Sequence, residues 1–350
     1  MTVLLVGNFL SESGGTHGVC EELAVRLEDA GCRVITVSRS RARLRRLCEM
    51  VGAVWHHQRE YDVAHVDLFS GDAFFWAEAV CWTLRRARKP YVLTLHGGRL
   101  PQFAHRWPRR VRRLLASAAI VTAPSNYLRE RMLPYCARIV VQPNALELAR
   151  YEFRARAQPK PRLVWLRAFH EIYNPALAVG VIRRLVPDYP ALRLLMAGPD
   201  KGDGSLERAR RLAGQNGFLD GHIAFRGSID KRAVPRFLQE GDVFLNTANT
   251  DNTPVSVIEA MACGLCVVST NVDGLPFLLE DERDALLVAP GDAQAMSAAV
   301  RRILTEPGLA LRLSENARRK VEAFDWSMVL PRWLSIFEEA MIGRSNGCGA

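Results

Sequence analysis

Short apolar runs alternate with helix-like stretches along almost the whole chain, and the alternating set occurs twice. Runs at residues 3–6, 34–37, 63–66, 91–95, 119–123 and 139–141 read as strands, with a helix over 18–30 ending at Gly31. Strand–helix–strand order predicts parallel sheets, because a parallel connection needs a crossover and its helix covers a sheet face. A polar, proline-bearing stretch, RYEFRARAQPKPR, follows and ends near Arg162; its composition predicts an interdomain linker. A second set starts at 163–166 and continues through 192–197, 223–225, 243–245 and 266–269, before helices over 292–304, 309–322 and 327–341. The expected fold class is therefore α/β, with two Rossmann-like doubly wound domains facing each other across a cleft. Residues 1–150 are expected to form the first domain and 151–325 the second, followed by a final helix over 326–342 and an unstructured tail over 343–350. In such sheets ligands sit outside the carboxyl ends of the strands.

Composition narrows the function classes. Apolar residues make up 49% of the 350 positions, as in a globular protein, and no apolar run approaches the roughly 18 residues of a membrane span. The opening segment, MTVLLVG, lacks a basic flank and a cleavage site and reads as a buried strand, which predicts a cytoplasmic protein. The eight cysteines are scattered. Cys263 and Cys266 form one C-x-x-C at a helix-to-strand junction, but no second pair or histidine cluster completes a metal site, so packing is the expected role.

Nearly all of the net charge of +10 lies in residues 1–150. One cluster holds Arg39, Arg41, Arg43, Arg45 and Arg46. The other holds Arg106, Arg109, Arg110, Arg112 and Arg113, interleaved with Phe103, Trp107, Leu114 and Leu115. This pattern suits docking on an anionic bilayer surface, and equally a solvated helix face. No helix-turn-helix, finger or RNA-binding signature accompanies the charge, which argues against nucleic acid.

The most informative local feature is DNTPVSVIEAMACG. Asp251 and Glu259 stand eight residues apart, after the apolar run at 243–245. Pro254 suits a first helical turn, Val257, Ala260 and Met261 recur at helical spacing, and Gly264 supplies a stop. Asp251 then precedes a helix N-terminus and Glu259 lies inside the helix. Free N–H groups and a partial positive charge at that end suit a phosphate, and a carboxylate on either side can accept from sugar or ribose hydroxyls. The plainer alternative is an N-cap aspartate and a solvated glutamate.

Extended to DNTPVSVIEAMACGLCVVSTNVDGLPFLL, the segment resembles the E-x7-E signature of family-4 retaining glycosyltransferases, which have the GT-B fold. The resemblance spans nearly the whole chain, more loosely in its first half, and departs from the family in having Asp251 for the first glutamate. It implies that Glu259 contacts the nucleotide ribose and Asp251 the hydroxyls of the donor sugar. Thr253, Val255 and Ser256 would supply backbone donors where the family has glycines; Pro254, in the same stretch, donates nothing. Arg167, after the run at 163–166, would pair with the donor diphosphate and stabilise it as it leaves. The companion lysine is missing: the chain reads HEIYNP, so Tyr173 or Asn174 would hydrogen-bond a phosphate without neutralising it, leaving Lys201 or Arg226 as substitute cations.

The resemblance also assigns His96, before Gly97 and Gly98, to positioning at the reaction centre, since in a retaining reaction the departing phosphate takes the acceptor proton. Gly15, in the first strand–helix loop, would face acceptor and phosphate, although Gly14-Gly15-Thr16 does not complete a dinucleotide fingerprint. Gly198 would lie in the donor-side glycine region, and the segment carrying Arg226 would meet the base through its backbone. The implied function is transfer of a sugar from a nucleoside-diphosphate sugar (UDP by default, GDP as an option) to a hydroxyl acceptor. No cofactor is implied, and no metal, because no D-x-D pair follows a strand. The alternatives are a sugar-nucleotide epimerase or hydrolase of the same architecture, and a noncatalytic, degenerate transferase.

Overall fold

The computed structural model describes residues 1–343 except 8, 10–17, 39 and 41. The chain divides into two compact units, Met1–Ala145 with the chain from Trp326 onward, and Leu146–Asp325.

The N-terminal unit holds strands β1 (Thr2–Val6), β2 (Arg33–Val37), β3 (Val63–Leu68), β4 (Tyr91–Leu95), β5 (Ile120–Ala123) and β6 (Val140–Val141), ordered β2-β1-β3-β4-β5-β6 and all parallel. Its helices are α1 (Val19–Asp29), α2 (Arg43–His56), α3 (Asp72–Arg86), α4 (Leu100–Arg106), α5 (Pro108–Leu115) and α6 (Asn126–Met132). One sheet face packs against α2 to α6, through residues such as Val54, Phe74, Val80, Val111 and Leu128. The other is covered by α1 and the last helix, α14 (Trp326–Ile342). Trp333 and Phe337 of α14 stack on each other and meet the buried His65 edge-on.

The second unit holds β7 (Arg162–Leu166), β8 (Arg193–Ala197), β9 (Ile223–Gly227), β10 (Val243–Asn246), β11 (Cys266–Thr270) and β12 (Ala285–Val288), ordered β12-β11-β10-β7-β8-β9. Helices α7 (Pro175–Leu185), α8 (Ser205–Gln215), α9 (Val234–Gln239), α10 (Val255–Ala262), α11 (Leu275–Leu278), α12 (Ala293–Thr305) and α13 (Leu309–Val321) connect and cover them. Strand order reverses between β7 and β10, and in open sheets of this class ligands bind outside the carboxyl ends of the strands at such a point. Strand β12 was not anticipated: it is four residues long, sits at the sheet edge and follows a turn.

The stretch read as a linker is instead docked on the second unit. Asp242 is buried and takes ion pairs from Arg154 at 2.9 Å, Arg156 at 3.0 Å and Arg162 at 2.7 Å. Arg156 is buried too, and donates to the carbonyls of Cys263 and Gly241 at 3.1 Å each. Desolvation pulls its guanidinium down to about 10. The polar composition of this stretch reflects a charge hub, and the chain passes between units at 145/146 and 325/326. Cys263 and Cys266 are buried free thiols, both pushed up to about 12 by burial, so they stay protonated packing groups at neutral pH.

Candidate functional site in the second unit

Arg167 and Asp251 meet at the point where strand order reverses. Arg167 follows β7 and Asp251 lies in the loop after β10; Arg167 Nη2 donates to Asp251 Oδ2 at 2.5 Å, with both side chains largely buried. The guanidinium lies over the Tyr173 ring, 4.0 Å from its centroid, so the tyrosine at the expected lysine position supports the arginine instead of adding a charge. Gly198 makes this packing possible: its φ is +147°, and a Cβ there would fall 1.8 Å from the carbonyl oxygen of Arg167. Gly274 has the same role behind the acid loop, where a Cβ would lie 2.1 Å from the carbonyl oxygen of Asn252 and its N–H donates to Asp251 O. Burial pushes the Asp251 carboxyl up, against the pull of Arg167 and the Asn252 N–H.

Helix α10 begins directly after this loop. Pro254 is its N-cap and Val255 its first residue, one position later than the sequence suggested. In its first turn the Val257 N–H already donates to Pro254 O at 3.1 Å, while those of Val255 and Ser256 precede any helical acceptor. Three buried side-chain atoms around this end also make no hydrogen bond: Arg167 Nε, Thr253 Oγ1 and Ser256 Oγ. Buried polar atoms left unpaired cost about 1–3 kcal/mol each, so these three groups favour a hydrogen-bonding partner. Glu259 is buried inside the helix. Its Oε1 accepts from Tyr151 Oη at 2.7 Å and Lys231 Nζ at 2.6 Å.

Other predicted residues take separate places. Asn174 caps α7 in a left-handed conformation and donates to Asn249 Oδ1 at 3.4 Å. Arg226 is exposed on β9 and pairs with Glu240, not with the Arg167 cluster. The main chain of Lys201 bonds to Phe169 O. Gly15 lies outside the described residues. The residues that sequence reasoning missed are Lys231 and Tyr151. Lys231 stood in view five residues after Arg226, while Tyr151 was read as linker.

In the N-terminal unit, His96 follows β4 and its Nε2 hydrogen-bonds Asp67 Oδ1 at 2.8 Å across the sheet. The imidazole stacks on Phe69, centroids 4.9 Å apart. The Asp67 side chain is largely buried; desolvation works against its charge, yet His96, His65 and the Cys20 thiol together hold its carboxyl below the ordinary range. Burial also drops His65, at its side, to about 4. Asp67 is a further residue the sequence reading passed over.

Both halves of the chain match known families. Residues 13–150 match the model "Glycosyltransferase Family 4", and residues 152–320 match "Glycosyl transferases group 1". The chain belongs to these group 1, family 4 glycosyltransferases and has the GT-B fold. Among its relatives is the phosphatidyl-myo-inositol mannosyltransferase of Mycolicibacterium smegmatis, 28% identical over 47% of this chain and 41% of the relative. The D-inositol 3-phosphate glycosyltransferase of Saccharomonospora viridis is 32% identical over 59% of this chain and 45% of the relative. The aligned stretches thus span less than half of these relatives' own length. Among solved structures, sucrose-phosphate synthase of Thermosynechococcus elongatus superposes with a TM-score of 0.80 at 20% identity, covering 97% of this chain and 98% of that one. Anabaena HepE in complex with UDP-glucose gives 0.77 at 16% identity, covering 97% and 99%.

Among the described residues no helix is long and apolar enough to cross a membrane, and no group of histidine, cysteine and carboxylate side chains is arranged to hold a metal ion.

Proposed function

We propose that the protein transfers a sugar from a nucleoside-diphosphate sugar to a hydroxyl acceptor with retention of anomeric configuration. The observation that carries this reading is the cluster at the end of β7 and β10: the Arg167 guanidinium, the start of α10, and the hydroxyls of Thr253 and Ser256. A diphosphate offers oxygens to all of them. Its charge competes with Asp251 for Arg167, and Asp251, once released, accepts from a hydroxyl of the donor sugar. As the anomeric C–O bond breaks, negative charge collects on the leaving phosphate, where Arg167 and the helix N-terminus stabilise it more than in the ground state.

Glu259 takes the ribose through Oε2, because Oε1 is already held by Tyr151 and Lys231. Lys231 puts a cation beside the ribose acid and is the better substitute for the missing lysine than Lys201 or Arg226. His96, fixed by Asp67 and Phe69, positions the reacting groups, and the acceptor proton passes to the departing phosphate oxygen. The N-terminal unit is assigned to the acceptor and the second unit to the donor.

UDP-glucose is the first donor to test, because it is the ligand in the HepE structure of the same fold. The two relatives above, named for inositol-bearing acceptors, make inositol compounds the first acceptors to test. The experiment is a thermal-shift panel of UDP-, GDP- and ADP-sugars followed by a transfer assay. A donor at 100 times its Kd adds about 2.7 kcal/mol of stability. Transfer by the wild type and its loss in a folded Glu259→Ala variant support the reading. Conversion of donor to a new sugar without acceptor would identify an epimerase, and donor binding without turnover a noncatalytic protein.

A further inference from the structure

The arginines at 106–113 find no use in the donor site, and the structure gives them a face of their own. On α3, Phe75, Glu78, Ala79, Trp82, Arg85 and Arg86 recur at helical spacing on the side opposite the buried Phe74, Ala77, Val80, Cys81 and Leu84. On α5, Val111, Leu114 and Leu115 face the core, while Arg109, Arg110, Arg112 and Arg113 are exposed. The two outward faces frame an open hollow of about 620 Å³ lined by Phe75, Trp82, Arg85, Arg109 and Arg113.

Two observations set this surface apart from an ordinary solvated face. Large aromatics are exposed on or beside it: Phe75 at 40%, Trp82 at 48% and Trp107 at 44%. Guanidiniums lie over them, Arg110 on Phe75, Arg86 on Trp82 and Arg106 on Trp107. The charge is also poorly balanced. Arg110 grips Glu78 through both carboxylate oxygens, but Arg85, Arg109 and Arg113 have no carboxylate partner among the described residues. Of the other arginine cluster in the sequence, Arg45 pairs with Glu49 and Arg46 is buried, while Arg39 and Arg41 lie outside the described residues.

From this geometry we infer that the α3–α5 face docks the protein on an anionic phospholipid bilayer. Headgroup phosphates enter the hollow between Arg85, Arg109 and Arg113, and the rings of Trp82, Phe75 and Trp107 enter the interfacial layer. Unpartnered arginines supply attraction to anionic lipid, and half-exposed indoles are the side chains that settle at headgroup depth. A duplex nucleic acid would satisfy the charge but, with its bases already stacked, would leave the aromatic rim without a partner. The inference does not depend on the proposed transfer reaction.

Sedimentation of the full chain with vesicles tests it. The wild type is expected to pellet with vesicles of phosphatidylcholine containing about 30% phosphatidylglycerol, and not with phosphatidylcholine alone. Raising the salt from about 0.1 to 0.5 M should release most of it. The double variant Arg109→Glu/Arg113→Glu is expected to bind at least tenfold more weakly and Trp82→Ala severalfold more weakly. Their melting temperatures and response to UDP should be unchanged, because these side chains are exposed and outside the donor site. A milder pair, Arg109→Gln/Arg113→Gln, serves if charge reversal harms folding. Equal binding to neutral vesicles, or double variants that bind like the wild type, would overturn the proposal. So would displacement from the vesicles by equimolar duplex DNA, or a thermal shift by inorganic phosphate alone with no vesicle binding.

Discussion

Lys231 Nζ lies 2.6 Å from Glu259 Oε1, and Tyr151 Oη donates to the same oxygen at 2.7 Å. Two donors on one carboxylate oxygen leave the other free to accept. They also fix the orientation of a carboxylate that is almost completely buried.

Lys231→Met therefore separates a donor-binding role from a structural one. Tyr151 still holds Glu259 in the variant, and the lysine is partly exposed, so the stability change should stay within about 1 kcal/mol. The Kd for UDP is expected to rise about tenfold, the loss of one charge-assisted contact near the nucleotide. Titration calorimetry gives the answer, and an unchanged Kd would remove Lys231 from the donor site.

The N-terminal unit should be acid-labile. Burial holds His65 at about 4 against an ordinary 6.5, so between these values the unfolded chain binds the additional proton. Stability then rises with pH across this window and falls on acidification, by about 2 kcal/mol between pH 7 and pH 5. Asp67, whose carboxyl is held below its ordinary range, adds loss in the same direction at lower pH. Urea midpoints for wild type and His65→Gln at the two pH values test this: the variant should show a shallower dependence, and parallel curves would contradict it.

Gly198 is the position where a single methyl should do most damage to the site. At φ +147°, with Arg167 O 1.8 Å from any Cβ, Gly198→Ala must move the backbone that carries the arginine. A loss of more than about 2 kcal/mol of stability is expected, together with weaker UDP binding. A variant with wild-type melting temperature and affinity would mean that the loop yields at no cost.

Local pattern carried most of the architecture. Apolar runs and their helical spacers located both sheets, because a buried parallel strand is a short run of branched apolar residues whatever its partners. The family motif brought Arg167, Asp251 and Glu259 to attention. What stayed illegible was contact between distant residues. Arg154, Arg156 and Arg162 looked like a linker because Asp242, about 80 residues on, is not part of their local composition. Tyr151 and Lys231 reach Glu259 from positions 108 and 28 residues away. Asp67 and His96 end neighbouring strands 29 residues apart, a pairing that strand order alone could have suggested.

In the proposed reaction Arg167 takes the diphosphate of the donor, and UDP titration into wild type and Arg167→Ala measures that contact. Titration should show UDP binding to the wild type and at least a tenfold weaker Kd in the variant, with the fold intact. Equal affinity in the two proteins would place the nucleotide elsewhere and contradict the account.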